Sequence, residues 1–104
     1  MKILFDQGTP APLRKSLTGH QVSTAFEMRW EQLENGKLLA EAEKAFDAFI
    51  PTDKNLRYQQ NLGSRRLAIL ILPTTSWPEI QKHLGLVSDA VNALKPSDVI
   101  ELEF

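Results

Sequence analysis

Two runs of the chain end alike: Lys2-Ile3-Leu4-Phe5-Asp6, and Ala48-Phe49-Ile50-Pro51-Thr52-Asp53. Each is an apolar stretch that closes on an aspartate and gives way to polar, loop-forming residues. A short run that is apolar throughout suits a strand covered on both faces, as in a parallel sheet packed between helices. If both runs are strands of one such sheet, both carboxylates emerge at its carboxyl edge. Open α/β sheets bind ligands there, in the crevice where the strand order reverses. Two acids converging at that edge suit a hard cation such as Mg²⁺, which is commonly held by one or two carboxylates plus water. The same residues have a plainer reading, because an aspartate at a strand end also caps the turn or helix that follows.

The remaining segments complete an alternating pattern. Gly8-Thr9-Pro10 reads as a turn, with Thr9 as N-cap and Pro10 at the first position of a brief helix to about Leu17. Gln21 to Ala25, with Val22 and β-branched Thr24, forms a second, more polar strand suited to a sheet edge. Glu27 to Leu33 reads either as helix or as a loop with one turn. Asn35-Gly36 marks a break, and the spacing of Leu38, Leu39, Ala42 and Ala45 predicts a helix over Lys37 to Phe46. After the third strand, Ala48 to Thr52, the segment Asn55 to Asn61 has the makings of a short helix. Pro51 is unusual there, since it removes a backbone donor and belongs at strand ends or edges.

Leu67 to Leu72 is the most hydrophobic strand and is expected at the sheet centre. Thr75 or Ser76 caps a long helix over Trp77 to Leu94, with Gly85 as its weak point and His83 expected at its exposed surface. Val99 to Phe104 is a last, half-exposed strand. Strands alternating with helices argue for a parallel sheet with helices on both faces. A single α/β domain over residues 1–104 is the expectation, since that length supports one core without staples.

Composition removes several functional classes. The absence of cysteine excludes a disulfide partner, a thiolate metal site and a cysteine nucleophile. His20 and His83 have no partner histidine at metal-ligand spacing, so a zinc site is not expected. A net charge of −1 leaves no general basic field for nucleic acid. Arg14-Lys15, Lys54, Arg57 and Arg65-Arg66 are the available local cations. The longest apolar run, Leu67 to Pro73, is far short of the roughly 20 residues that span a bilayer, so no membrane partner is expected. The chain enters its first strand directly from Met1-Lys2, without an apolar leader, and a cytoplasmic location is the expectation.

With these residues in place, the chain resembles the small bacterial PIN-like domain family, related to the toxin ribonucleases of toxin–antitoxin modules. The likeness rests on Lys2-Ile3-Leu4-Phe5-Asp6-Gln7 with Pro10 behind it, and on Gly19-His20-Gln21-Val22. Asn35-Gly36 leading into Leu38-Leu39, and Thr52-Asp53-Lys54-Asn55-Leu56, complete it. It covers nearly the whole chain and is closest in residues 1–62. The resemblance implies a three-layer α/β/α sandwich with a mostly parallel central sheet, and a Mg²⁺- or Mn²⁺-dependent ribonuclease.

Carried over by position, Asp6 and Asp53 match two of the family's metal-binding acids. The second, helix-borne acid falls at Asn35 with Glu34 adjacent, and the fourth position is Asn55. The chain thus keeps two clear acids where active nucleases show three or four. Arg57, Gln59, Arg65 and Gln7, beside Asp6, are the residues expected to meet RNA phosphates. An antitoxin-like protein or a homodimer is the implied partner. The alternative is a catalytically degenerate PIN-like module that binds protein or RNA.

Overall fold

The computed structural model describes residues 1–104 and contains one five-stranded sheet. Its strands are β1 (Lys2–Phe5), β2 (Gln21–Thr24), β3 (Ala48–Ile50), β4 (Ala68–Ile71) and β5 (Val99–Glu101). They are ordered β2-β1-β3-β4-β5, and every neighbouring pair is parallel. The sheet is therefore fully parallel, not mostly so. β2 is an edge strand, as its polarity suggested. β3, rather than the more hydrophobic β4, occupies the centre; both are buried at every position.

Alternation along each strand divides the core in two. Ile3, Phe5, Ala48, Ile50, Ala68 and Leu70 face one layer, while Leu4, Phe49, Ile69 and Ile71 face the other. The first layer is a 3-10 helix (Ala11–Ser16) together with α3 (Trp77–Gln81) and α4 (Leu84–Asn92), which contribute Leu13, Leu17, Ile80, Val87 and Val91. Opposite them lie α1 (Asn35–Ala45), with Leu38, Leu39 and Ala42, and α2 (Leu56–Gln59), with Leu56. Both faces of the sheet are thus covered by helices, as the unbroken apolar strands require.

The connections from β2 to β3 and from β3 to β4 pass over the α1/α2 face. The connection from β4 to β5 moves across the sheet in the same direction but over the other face. That last crossover therefore has the opposite hand to the two before it, an uncommon arrangement among parallel strands.

Several local expectations change in the structure. Thr9 does not cap the first helix: Pro10 occupies the N-cap position, and the buried Thr9 hydroxyl instead donates to the Ile50 carbonyl at 2.7 Å. Asn35-Gly36 is no break, since both residues lie in the first turn of α1. Pro51 follows β3 instead of lying inside it, so its missing N–H costs the ladder nothing, and its carbonyl accepts from the Leu72 N–H at 2.9 Å.

The long helix after Ser76 is two helices. Ser76 caps α3 by accepting from the Glu79 N–H at 3.4 Å. The break comes at Lys82-His83, while Gly85 lies inside α4. His83 is not freely exposed: its ring stacks on Phe104 with centroids 4.5 Å apart. No helix is long and apolar enough to cross a membrane.

Candidate functional site

The strand order reverses at β1. From there the chain first goes outward to β2, then crosses back to β3 on the other side. The crevice at the carboxyl ends of β1 and β3 is the position where such sheets bind ligands. Asp6 follows β1 directly, and Thr52 and Asp53 follow β3. The turn after β1 is fastened to β3. The Thr9 N–H donates to the Asp6 carbonyl at 3.1 Å, while the Thr9 hydroxyl holds the Ile50 carbonyl. Gly8 completes the fit, because a Cβ at this position would stand 2.6 Å from Thr52 Oγ1. Only glycine lets the two loops approach this closely without a shift.

Burial raises the Asp6 carboxyl above its ordinary value. A hydrogen bond from the Gln7 backbone opposes that shift, and the negative charge of Asp53 adds to it. The Asp53 charge is the smallest of these three causes. Asp53 is exposed and also serves its own loop: one carboxylate oxygen accepts from the Asn55 N–H at 2.9 Å. The plainer, turn-capping role of Asp53 is thus present at the edge where such sheets bind ligands.

A cavity of about 300 Å³ opens beside Asp6 and is lined by Gln7, Trp30, Glu31, Asn35 and Thr52, among others. Asn35 enters it from the first turn of α1, with its Nδ2 donating to Gln59 Oε1 at 3.2 Å. Gln7 donates from Nε2 to the Glu31 carbonyl at 3.3 Å. Each of these amide nitrogens gives one of its two hydrogens to a protein acceptor, which leaves its second N–H and the amide oxygen for a ligand. Gln59 reaches the site only through Asn35.

Other sequence candidates do not converge there. Glu34 is exposed at the N-cap of α1, makes no capping bond and does not line the cavity. No group of three acidic or histidine side chains suited to a metal is present. Asn55 is exposed and contributes its backbone N–H to Asp53. Arg57 pairs with Glu101 at 2.9 Å, on the far side of the edge beyond β4. Arg65 lies at the opposite, amino edge, where it pairs with Glu43 at 3.1 Å. The Arg66 N–H also binds Glu43, ahead of Arg65 as the cause that holds the Glu43 carboxyl below its usual range. A larger cavity of about 830 Å³ at that amino edge mixes Lys2, Lys44, Arg66 and Lys95 with Glu43 and Asp47.

Sequence reasoning missed Glu31, Thr52 and Gly8 as parts of the site. Glu31 Oε2 is buried in the folded chain without a hydrogen-bond partner, although its residue belongs to a segment with no periodicity to announce it. Trp30, from the same segment, packs edge-to-face on Phe46 with centroids 6.0 Å apart and forms a wall of the cavity.

The chain matches no protein-family model, and no curated protein or solved structure matches it.

Proposed function

We propose that the chain is a PIN-like, divalent-cation-dependent phosphodiesterase acting on RNA, with Asp6 and Asp53 as the cation ligands. The observation that carries this reading is the pair of carboxylates at the strand-order reversal, where Asp53 adds to the cost of ionising the half-buried Asp6. A cation shared by the two relieves both burial and like-charge repulsion. The donor set fits Mg²⁺ or Mn²⁺: the Asp6 carboxylate, the Thr52 hydroxyl and the Asn35 and Gln7 amide oxygens on the cavity wall, with the Asp53 carboxylate acting on Asp6, are all hard oxygen ligands, and such ions keep several waters.

Held by Asp6 and Asp53, such an ion would supply activation of a water and charge compensation for the phosphodiester under in-line attack. Asp6 and Asp53 anchor it. Asn35, held by Gln59, and Gln7, held by the Glu31 carbonyl, orient the phosphate from the cavity side with the second N–H of each amide. Thr52, pressed against Gly8, fixes the spacing of the two strand ends. No side chain serves as a covalent nucleophile. Arg57 and Arg65 have no part in this scheme, since each is engaged by a glutamate elsewhere. A cytoplasmic location and an antitoxin-like partner or homodimer belong to the same proposal and rest on the family resemblance.

A second reading is a PIN-like module that binds RNA or protein without turnover. It is favoured by the absence of any group of three acidic or histidine side chains arranged to hold a metal. Calorimetric titration with Mg²⁺ and Mn²⁺, wild type beside Asp6→Asn, followed by incubation with single-stranded RNA, separates the two. Cation binding that Asp6→Asn abolishes, together with RNA cleavage that EDTA stops, is the expected result. Binding without cleavage favours the second reading. Wild type that binds no cation, or Asp6→Asn that binds as wild type does, overturns the cation site.

A further inference from the structure

Asp6 borders a second opening, a groove of about 570 Å³ on the other side of the β1 loop. That size lies within the range of small-molecule sites, about 300–1,000 Å³. Trp77, half-buried at the start of α3, forms one part of its wall, and Phe26 forms another. Phe26 is 73% exposed, the only fully apolar aromatic side chain left so open to water.

Its exposure is not the result of a loose loop. The Thr24 N–H donates to Glu27 Oε1 at 2.9 Å, and the Glu27 N–H returns a bond to Thr24 Oγ1 at 3.1 Å. Arg14 clamps the Glu27 carboxylate with two bonds, at 2.6 and 3.2 Å, and this pairing is the main cause holding the Glu27 carboxyl below its usual range. The Ala25 N–H extends the ladder to the Phe5 carbonyl at 2.8 Å, and the Trp30 N–H closes the turn on the Ala25 carbonyl at 2.9 Å. The turn is therefore fixed on both sides of an aromatic ring that it presents to solvent. A ring held this way binds a partner with little further ordering cost.

The chemistry around the groove suits a flat ring with polar edges. Thr75 and Gln7 line it beside the aromatic walls, and the Gln7 amide oxygen has no protein donor. Arg29, on the Phe26 turn, forms no ion pair. Asp6 lines both this groove and the cavity beyond it, so a nucleotide seated here has its backbone at Asp6.

We propose that this groove binds a base of single-stranded RNA, stacked on Phe26; the proposal rests on reading the adjoining aspartates as an RNA phosphodiesterase site. Unpaired bases stack on aromatic side chains without strong sequence preference. The occupant is therefore any exposed base next to the reacting phosphate.

The test is fluorescence anisotropy in EDTA, using a labelled six-nucleotide oligouridylate and an abasic ribose-phosphate oligomer of the same length. Wild type is expected to bind the oligouridylate at least about tenfold more tightly, and Phe26→Ala to lose about that factor, as for one base leaving an aromatic platform. Phe26→Tyr retains the preference. Because Phe26 is exposed, Phe26→Ala should melt as wild type does, and its Mg²⁺ titration should match wild type. Equal affinity for the abasic oligomer, or unchanged binding by Phe26→Ala, overturns the groove. Base preference in a protein that binds no cation leaves the groove standing and removes the phosphodiesterase. RNA cleavage by wild type, with oligouridylate binding unchanged in Phe26→Ala, leaves the phosphodiesterase standing and removes the groove.

Discussion

Asp6 is costly to ionise where it stands, and the sign of that cost is testable. Below the ordinary carboxylate value of 3.8, the folded and unfolded chains both hold the proton, and no penalty arises. Above it the unfolded chain ionises first, so it binds fewer protons than the folded chain, and stability falls as the pH rises. The fall ends once the folded carboxyl has ionised as well. Asp6→Asn removes the loss. Metal-free thermal melts should therefore place the variant slightly above wild type at neutral pH, with the difference closing below the unfolded value. The rise is small because water still reaches the group. A variant that melts below wild type at neutral pH would mean that the Gln7 hydrogen bond outweighs burial. At this scale the sequence exposed Asp6 and Asp53, because each ends an apolar run. It gave no sign of Thr52, Glu31 or Gly8, whose roles come from contacts between loops distant along the chain.

Among the elements, the paired helices after β4 illustrate how little a single glycine decides. Helix propensity penalises glycine by about 0.8–1.0 kcal/mol relative to alanine in a helix interior, which made Gly85 the natural point of interruption. The chain instead breaks at Lys82-His83, where the His83 ring is held on Phe104. The glycine's local preference therefore does not set the break. Gly85 lies near the start of α4, and nothing stands within 4 Å of the place a Cβ would occupy. Gly85→Ala should raise stability by about 0.5–1 kcal/mol, measured by urea unfolding, at a helical position with room for the methyl group. Destabilisation would show that the glycine's conformational freedom is needed there. Other elements were legible from pattern: the Leu38, Leu39 and Ala42 spacing announced α1, and the polar character of β2 announced an edge.

For the whole molecule, stability converges on β3, the shortest class of strand in the sheet yet flanked by β1 and β4 and covered from both sides. Phe49 is 1% exposed, and its neighbours across the sheet are Leu4 and Ile69. Phe49→Ala should cost about 3–5 kcal/mol in urea unfolding, because the layers above cannot collapse fully into the space. That is a large share of the roughly 5–15 kcal/mol available to a domain of this kind. A cost under about 1 kcal/mol would mean that the α1 layer relaxes freely onto the sheet, contrary to close packing of protein interiors. By itself the sequence determined the class of fold: apolar runs of strand length separated by helical spacing leave no stable solution except a parallel sheet between helices. It also determined that two aspartates stand at strand ends, because side-chain character and strand limits are local properties. The tertiary structure alone decided the strand order, and hence that those two ends are neighbours at the reversal. It likewise decided that α3 and α4 return to the face of the 3-10 helix, since a helix of 6 residues is too short to cover that face without them.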